Sequence, residues 1–111
     1  MITNYQTGHD AEKTAAEYLK KRNFKIRELN WRTRFCEIDI VAEKDNIIYF
    51  VEVKYRKNNS QGTGLEYITK SKLKKMRFAA DLWVSSNNWE KDYQMAALAI
   101  DNQTITFVDN I

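Results

Sequence analysis

The chain of 111 residues has the length of a single domain with one hydrophobic core, and we expect residues 1–111 to form that domain. Its composition, with 43% hydrophobic, 30% charged and 13% aromatic residues, excludes a disordered chain, and its one cysteine, Cys36, excludes an internal disulfide or a cysteine-rich zinc site. No run approaches the roughly 18 apolar residues of a membrane span, and the N-terminus lacks the basic and apolar regions of a secretory signal. We therefore expect a cytoplasmic protein with no membrane partner. The net charge of +3 is compatible with a polyanionic partner.

The first elements predicted along the chain are a helix and a short strand. Thr7 and Asp10 have the spacing of a capping box, and the segment after them predicts a helix over residues 8–22. The apolar residues that recur at helical spacing, and are expected to face the core, are Ala11, Ala15, Ala16, Tyr18 and Leu19. Glu12 lies at the margin of this stripe, where an acid is more typical of a partly solvated boundary. The alternating residues 24–29 predict the strand.

The stretch EIDIVAEKDNIIYFVEVKYR, residues 37–56, predicts the second and third strands, joined by a tight turn at Asp45 and Asn46. The polar, glycine-containing residues 57–64 predict a loop. A second helix is predicted over residues 69–85, with an apolar stripe formed by Leu73, Met76, Ala79, Ala80 and Trp83.

The segments YQMAALAID and TITFVD predict a closing pair of strands around Asn102 and Gln103. The order is then helix, three strands, helix, two strands. This order predicts an α/β or α+β domain in which a mixed central sheet is flanked by a helix on each side.

Basic residues gather in four segments, KKR, WRTR, KYRK and KSKLKKMR. Each segment fits the solvated face of a helix or strand end as well as it fits contact with nucleic acid. Trp31 precedes Arg32 in one of these segments and could stack on a base, whereas Trp83 fits the apolar stripe of the second helix.

The 37–56 hairpin carries charged residues within its apolar runs. Because side chains alternate along a strand, Ile38 and Ile40 are expected on one face and Asp39 on the other. The predicted turn sets Asp39 directly across from Glu52, with Cβ atoms about 5 Å apart, an arrangement that costs stability. A shared proton would relieve the repulsion by raising one pKa, and a divalent cation such as Mg²⁺, which prefers carboxylate oxygens, would relieve it more completely.

Lys54 lies on the face of Glu52, two residues further along the strand. Its ammonium could reach a metal-bound water or a phosphate oxygen, so the acid pair, the lysine and a metal would form a site for phosphodiester hydrolysis. The same charges also fit a strand end tied by a salt bridge between Glu37 and Lys54, and the pattern alone does not decide between these interpretations.

The sequence EID, followed on the next strand by EVK, resembles the active-site signature of the PD-(D/E)xK, or restriction-endonuclease-like, superfamily. More closely, the chain is similar to the small bacterial YraN family of predicted nucleases. The segments that carry this similarity are GHDAEKTAAEYL, NWRTR, EIDIVA, FVEVKYR and LEYIT, together with Lys72. Three positions depart from the family pattern: Cys36 stands where a glycine is usual, and Gln94 and Ala96 stand where an arginine and an aspartate are usual.

The resemblance implies an αβββαββ fold and a metal site. The implied ligands are Asp39, Glu52, the carbonyl of Val53 and the first-helix acid Glu12, and the implied catalytic residues are Asp39, Glu52, Lys54 and Glu12. Contacts with nucleic acid are expected from Arg32, Arg34, Arg56, Lys72 and Trp31.

Our leading hypothesis is therefore a Mg²⁺- or Mn²⁺-dependent nuclease that hydrolyses phosphodiester bonds in DNA, such as branched or processed intermediates. Two alternatives stay open: a non-catalytic nucleic-acid-binding module of the same fold, and a protein-interaction domain without a nucleic-acid role. The sequence does not distinguish DNA from RNA. Because so small a domain has little surface for recognition, a homodimer or a protein partner is also considered.

Overall fold

The computed structural model describes residues 4–56, 68–102 and 104–111. Its elements, in chain order, are α1 (Asn4–Lys21), β1 (Lys25–Arg32), β2 (Glu37–Lys44), β3 (Ile47–Arg56), α2 (Lys70–Ser86), β4 (Tyr93–Asp101) and β5 (Thr104–Asp109). This order confirms the predicted αβββαββ layout. The loop predicted over residues 57–64, and Gln103 of the last turn, lie outside the described residues.

The start of α1 differs from the prediction. The helix begins at Asn4, so the expectation that Thr7 caps its first turn near residue 8 is wrong. Gly8 does not stop the helix, because a glycine in a helix interior costs only about 1 kcal/mol relative to alanine. At the other end the Phe24 N–H donates to the Leu19 carbonyl, and Asn23 takes a left-handed φ of 71°, which closes the helix.

The five strands lie in the order β1-β2-β3-β4-β5. Strands β3 and β4 are parallel and every other pair is antiparallel, so the sheet is mixed, as predicted. The first strand continues to Arg32, beyond the predicted end at residue 29, because it pairs with β2 as far as Arg32 and Glu37.

A helix packs on each face of the sheet. The α1 face is built on buried residues of α1, which are Ala11, Ala15, Ala16 and Leu19. The α2 face is built on Ala79, Ala80 and Trp83, packed against Val41, Ile48 and Phe50 of the sheet. The Trp83 ring meets the Phe50 ring edge-on, and its indole N–H donates to the carboxylate of Glu28 on β1. No helix among the described residues is long and apolar enough to cross a bilayer.

The β2–β3 turn has the predicted geometry. Asp45 and Asn46 both have positive φ, 53° and 65°, as a two-residue hairpin turn of type I′ requires. The register that follows, from Lys44 paired with Ile47 to Ile40 paired with Val51, is the one predicted.

The predicted alternation fails at one residue of β2. Ile38 packs into the core on the α2 face, whereas Ile40 packs into the core on the α1 face. The expectation that both share one face is therefore wrong. The side-chain alternation changes at Asp39, which lies beyond the last residue pair of the β2–β3 ladder. Backbone pairing with β3 therefore no longer fixes the orientation of β2 there.

Candidate functional site

The β2–β3 fork is the place where these two strands part. Their ladder ends at the pair Ile40–Val51; beyond it β2 continues only against β1, and β3 continues against β4. At the fork the Val53 N–H donates to Oδ2 of Asp39 at 2.8 Å, so a carboxylate takes the position of a ladder acceptor. The two acids that the sequence predicted to lie opposite each other, Asp39 and Glu52, follow directly on the last ladder pair.

The backbone of Val53 faces the fork. In a strand the N–H and C=O of one residue project toward the same neighbouring strand. Because the Val53 N–H points at Asp39 of β2, its carbonyl oxygen also points to the β2 side, beyond the last ladder pair. The carbonyl that the family resemblance names as a ligand therefore lies beside the two acids.

The electrostatics of the fork centre on Asp39, which is half-buried. Burial, and after it the negative charge of Glu52, raise the pKa of Asp39 from 3.8 to about 7, with smaller contributions from Glu12 and Glu37. The hydrogen bond from Val53 acts in the opposite direction and lowers this pKa. Near neutral pH, Asp39 therefore exchanges a proton, which is one of the two ways predicted to relieve the repulsion between the acids.

Lys72 supplies a positive charge at the acid pair. Its Nζ lies 2.9 Å from Oε2 of Glu52, and the side chains are 41% and 19% exposed. The hydrogen bond to Glu52 raises the pKa of Lys72. Thr69 fixes the position of this lysine, because its hydroxyl caps α2 by accepting the Lys72 N–H at 3.1 Å. A residue expected to contact nucleic acid is thus held directly on one acid of the pair.

A cavity of about 750 Å³, here called the fork cavity, opens beside these residues. It is lined by Phe35, Cys36, Glu37, Asp39, Glu52, Thr69, Ser71, Lys72, Lys74, Lys75, Met76 and Phe78. Acids from β2 and β3 therefore share one space with lysines and an aromatic residue of α2, and with the turn between β1 and β2.

Glu12, placed by sequence at the margin of the α1 stripe, is half-buried and close enough for its charge to raise the pKa of Asp39. Lys54 pairs with Ala99 in the β3–β4 ladder and is exposed. Because Phe50 packs on the α2 face and side chains alternate, Lys54 projects to that face with Glu52. Among the described residues neither Glu12 nor Lys54 lines the fork cavity, and their assigned roles stay predictions.

The basic residues of the WRTR segment surround the β1–β2 turn. Arg32 pairs with Glu37 at 3.3 Å on the surface. The guanidinium of Arg34 lies over the ring of Phe35, 5.3 Å from its centroid. Trp31 is partly buried and packs against the α2-face core. In this arrangement the side chains of Arg32 and Arg34 are exposed and accessible to a polyanion, whereas Trp31 packs against the core.

Arg56 lies at the far end of β3. Its Nε is 3.7 Å from Oδ1 of Asp101, which is buried, and its own side chain is only 13% exposed. This ion pair ties the ends of two adjacent parallel strands. A contact between Arg56 and nucleic acid, which the resemblance implies, stays a prediction.

The donor set can be compared with the needs of a divalent cation. Within residues 4–56, 68–102 and 104–111, no group of three or more His, Cys, Asp or Glu side chains is arranged to hold a metal ion. Asp39 and Glu52 nevertheless provide paired carboxylates, with the Val53 carbonyl beside them. Mg²⁺ is commonly bound by one or two carboxylates, with waters and substrate oxygens filling its other positions, so this donor set fits it.

Sequence reasoning missed the two aromatic residues of the fork cavity. Phe35 lies on the β1–β2 turn and Phe78 on α2, and both are exposed. A signal for each was present: Phe35 interrupts a polar, basic turn segment, and Phe78 falls outside the apolar stripe of α2. In a helix a side chain lies next to those three and four positions before it, so Phe78 neighbours Lys75 and Lys74.

A family model and the similar known proteins all indicate the same protein family. The model of the uncharacterised protein family UPF0102 matches residues 11–105. A UPF0102 protein of Nitratiruptor sp. is 34% identical over 110 residues, covering 99% of this chain and 96% of the relative. A UPF0102 protein of Campylobacter jejuni subsp. doylei is 35% identical with the same coverage. One of Vibrio parahaemolyticus is 32% identical over 114 residues, covering 99% of this chain and 94% of the relative.

Proposed function

The chain belongs to the uncharacterised protein family UPF0102, the YraN family that its sequence resembles, and we propose that it is a Mg²⁺- or Mn²⁺-dependent nuclease that hydrolyses phosphodiester bonds of DNA. The observation that carries this proposal is the β2–β3 fork. There the chain keeps Asp39 and Glu52 together, half-buried, on the wall of an open cavity that also presents lysines.

The fork is costly unless a positive charge compensates it. Burial and the charge of Glu52 disfavour the ionised form of Asp39, which is why its pKa rises to about 7. Lys72 compensates Glu52 directly. A divalent cation would compensate both carboxylates at once, and such an ion lowers the pKa of a bound water and neutralises charge that develops on a phosphate.

The residues of this chain have separable roles in such a reaction. Asp39 and Glu52 would hold the cation, and the hydrogen bond from Val53 fixes the orientation of the Asp39 carboxylate. Lys54, on the α2 face beside Glu52, would orient the attacking water or stabilise the phosphate. Lys72, Lys74 and Lys75 would hold the nucleic-acid backbone in the fork cavity.

A second candidate is a non-catalytic nucleic-acid-binding module of the same fold. The observation that favours it is the charge compensation already present: Lys72 neutralises Glu52, and a proton on Asp39 neutralises the other acid without a metal. This candidate keeps the cavity and its lysines for binding. A homodimer or a protein partner would enlarge the recognition surface of either candidate.

Cleavage assays distinguish the two candidates. The purified chain is incubated with single-stranded, duplex and branched DNA, and with RNA, in the presence of Mn²⁺, Mg²⁺ or EDTA. Cleavage is expected only with a divalent ion, and it should be lost in Asp39→Asn and Lys54→Ala but kept in Asp92→Asn, a matched control at an exposed aspartate. Cleavage that persists in both site variants would refute the assignment, and binding without any cleavage would favour the non-catalytic module.

A further inference from the structure

We propose that Phe35 and Phe78 stack on an unpaired nucleobase in the fork cavity, so that the substrate carries single-stranded nucleotides next to the bond that is cut. This inference rests on the proposed nuclease function and specifies its substrate class. It assigns a binding role to two residues that no charge pattern in the sequence singled out.

The first support is the exposure of two large aromatic side chains in one place. Phe35 is 72% exposed and Phe78 is 55% exposed, and both line the cavity that contains Asp39 and Glu52. They come from different elements, the β1–β2 turn and α2, so their presence in one cavity is a product of the fold. The core explains neither residue, because neither belongs to the packed cluster on either face of the sheet.

The second support is the rigid mounting of Phe35. The Thr33 hydroxyl accepts the Phe35 N–H at 3.0 Å and the Cys36 N–H at 3.2 Å, and the Thr33 N–H donates to the Cys36 carbonyl at 2.9 Å. The backbone beneath the exposed ring is therefore held at several points. Arg34 lies over the ring, where its guanidinium can meet a phosphate while the rest of the aromatic surface stays accessible.

The surrounding charge indicates which partner the rings serve. Lys74 and Lys75 line the same cavity and precede Phe78 by about one helical turn. Lysines beside exposed aromatic rings suit a chain in which phosphates and planar bases alternate, and this combination is characteristic of single-strand binding grooves. A cavity of about 750 Å³ is in the size range that holds small organic ligands and has room for a nucleotide.

The rings also select the state of the substrate. Inside a duplex the faces of each base are covered by neighbouring bases, so a protein ring stacks on a base without distorting the helix only where the strand is unpaired or the base is extruded. A nuclease that uses Phe35 and Phe78 in this way would act on single strands, or on single-stranded parts of flaps, gaps and forks.

Binding is measured by fluorescence anisotropy with labelled single-stranded and blunt duplex DNA in EDTA, which prevents cleavage. The wild-type chain should bind the single strand more tightly. Phe35→Ala and Phe78→Ala should each weaken that binding by about 5-fold or more, since one base–aromatic stack contributes a factor of this size or larger. The matched control is Leu29→Ala, because Leu29 is 48% exposed and lies outside the described lining of the fork cavity.

Two further variants separate stacking from other effects. Phe35→Trp should retain binding because it keeps an aromatic face, whereas Phe35→Leu should weaken binding about as much as Phe35→Ala does, although it stays apolar. The salt dependence of binding should be unchanged in the phenylalanine variants and reduced in Lys74→Ala, which removes a positive charge.

The outcomes distinguish this inference from the proposed function. If wild-type protein cuts DNA but Phe35→Leu binds single strands as well as wild type does, or duplex binds equally well, stacking is refuted and the nuclease proposal stands. If wild-type protein neither binds nor cuts any nucleic acid at low salt, both proposals fail, and the two rings then belong to a protein-binding surface.

Discussion

Replacing Asp39 by asparagine tests the electrostatic description of the fork without any substrate. Asparagine has nearly the same shape and can still accept the hydrogen bond from the Val53 N–H, but it does not titrate. In the folded wild-type chain the pKa of Asp39 is about 7, so its carboxyl group is mostly protonated below that pH. The unfolded chain releases it near an ordinary aspartate pKa of about 3.9.

This difference fixes the sign and size of a pH effect. Between about pH 4 and pH 7 the folded state binds more protons than the unfolded state, so the contribution of Asp39 to the free energy of unfolding falls as pH rises. With the two pKa values given, that contribution is about 3 kcal/mol at pH 5 and close to zero at pH 8. It is greatest below the unfolded pKa and is lost as pH rises through 7.

Urea unfolding of wild type and Asp39→Asn at several pH values measures the effect. From pH 5 to pH 8 the variant should gain stability relative to wild type by at most about 3 kcal/mol. Asp92→Asn, at an exposed position of the same residue type, should show no such trend. A constant difference between wild type and Asp39→Asn across this pH range would refute the description of Asp39 as a buried, repelled carboxylate.

Two further stability predictions follow from single contacts. Trp83→Phe keeps an aromatic ring against the core but removes the N–H that donates to Glu28. In urea titrations it should lower the free energy of unfolding by about 1.5–3 kcal/mol, the contribution of a hydrogen bond to a charged group. A loss no larger than that of a surface substitution would show that the Trp83–Glu28 hydrogen bond does not stabilise the fold. Lys72→Met removes the ammonium that pairs with Glu52. Because the lysine is substantially exposed, the free energy of unfolding should fall by at most about 1 kcal/mol. Screening by salt should make this fall smaller at about 0.5 M than at about 0.05 M salt. An equal loss at both salt concentrations would point to packing by the lysine stem instead.

Much of the fold could be predicted from periodicity and turn chemistry. The alternating apolar residues before and after Asp45 and Asn46 set two strands, and the turn between them requires positive φ, which aspartate and asparagine tolerate. That turn fixed the register, and the register brought Asp39 and Glu52 to adjacent positions. The central part of the candidate site was therefore encoded locally, within residues 37–56.

Features that depend on long-range packing could not be predicted in the same way. Ile38 changes face because β2 leaves β3 at the fork, and no local pattern marks the end of a ladder. The bond between Trp83 and Glu28 joins residues far apart in sequence, and both fit other roles when considered singly. Phe35 and Phe78 belong to one cavity only because the β1–β2 turn and α2 meet beside the fork.

The fork relates stability to function through a single carboxylate. A cation that binds Asp39 must displace the proton that burial favours, so the raised pKa that stabilises the fold in mild acid weakens metal binding there. Above pH 7 the relation reverses, because the ionised pair is a better ligand set and a less stable arrangement. Lys72 pairs directly with Glu52 and attracts Asp39 more weakly, so its charge compensates Glu52 more fully than Asp39. A site that served stability alone would be expected to place a neutral residue there, and we therefore interpret the retained aspartate as a functional residue whose ligand carries positive charge.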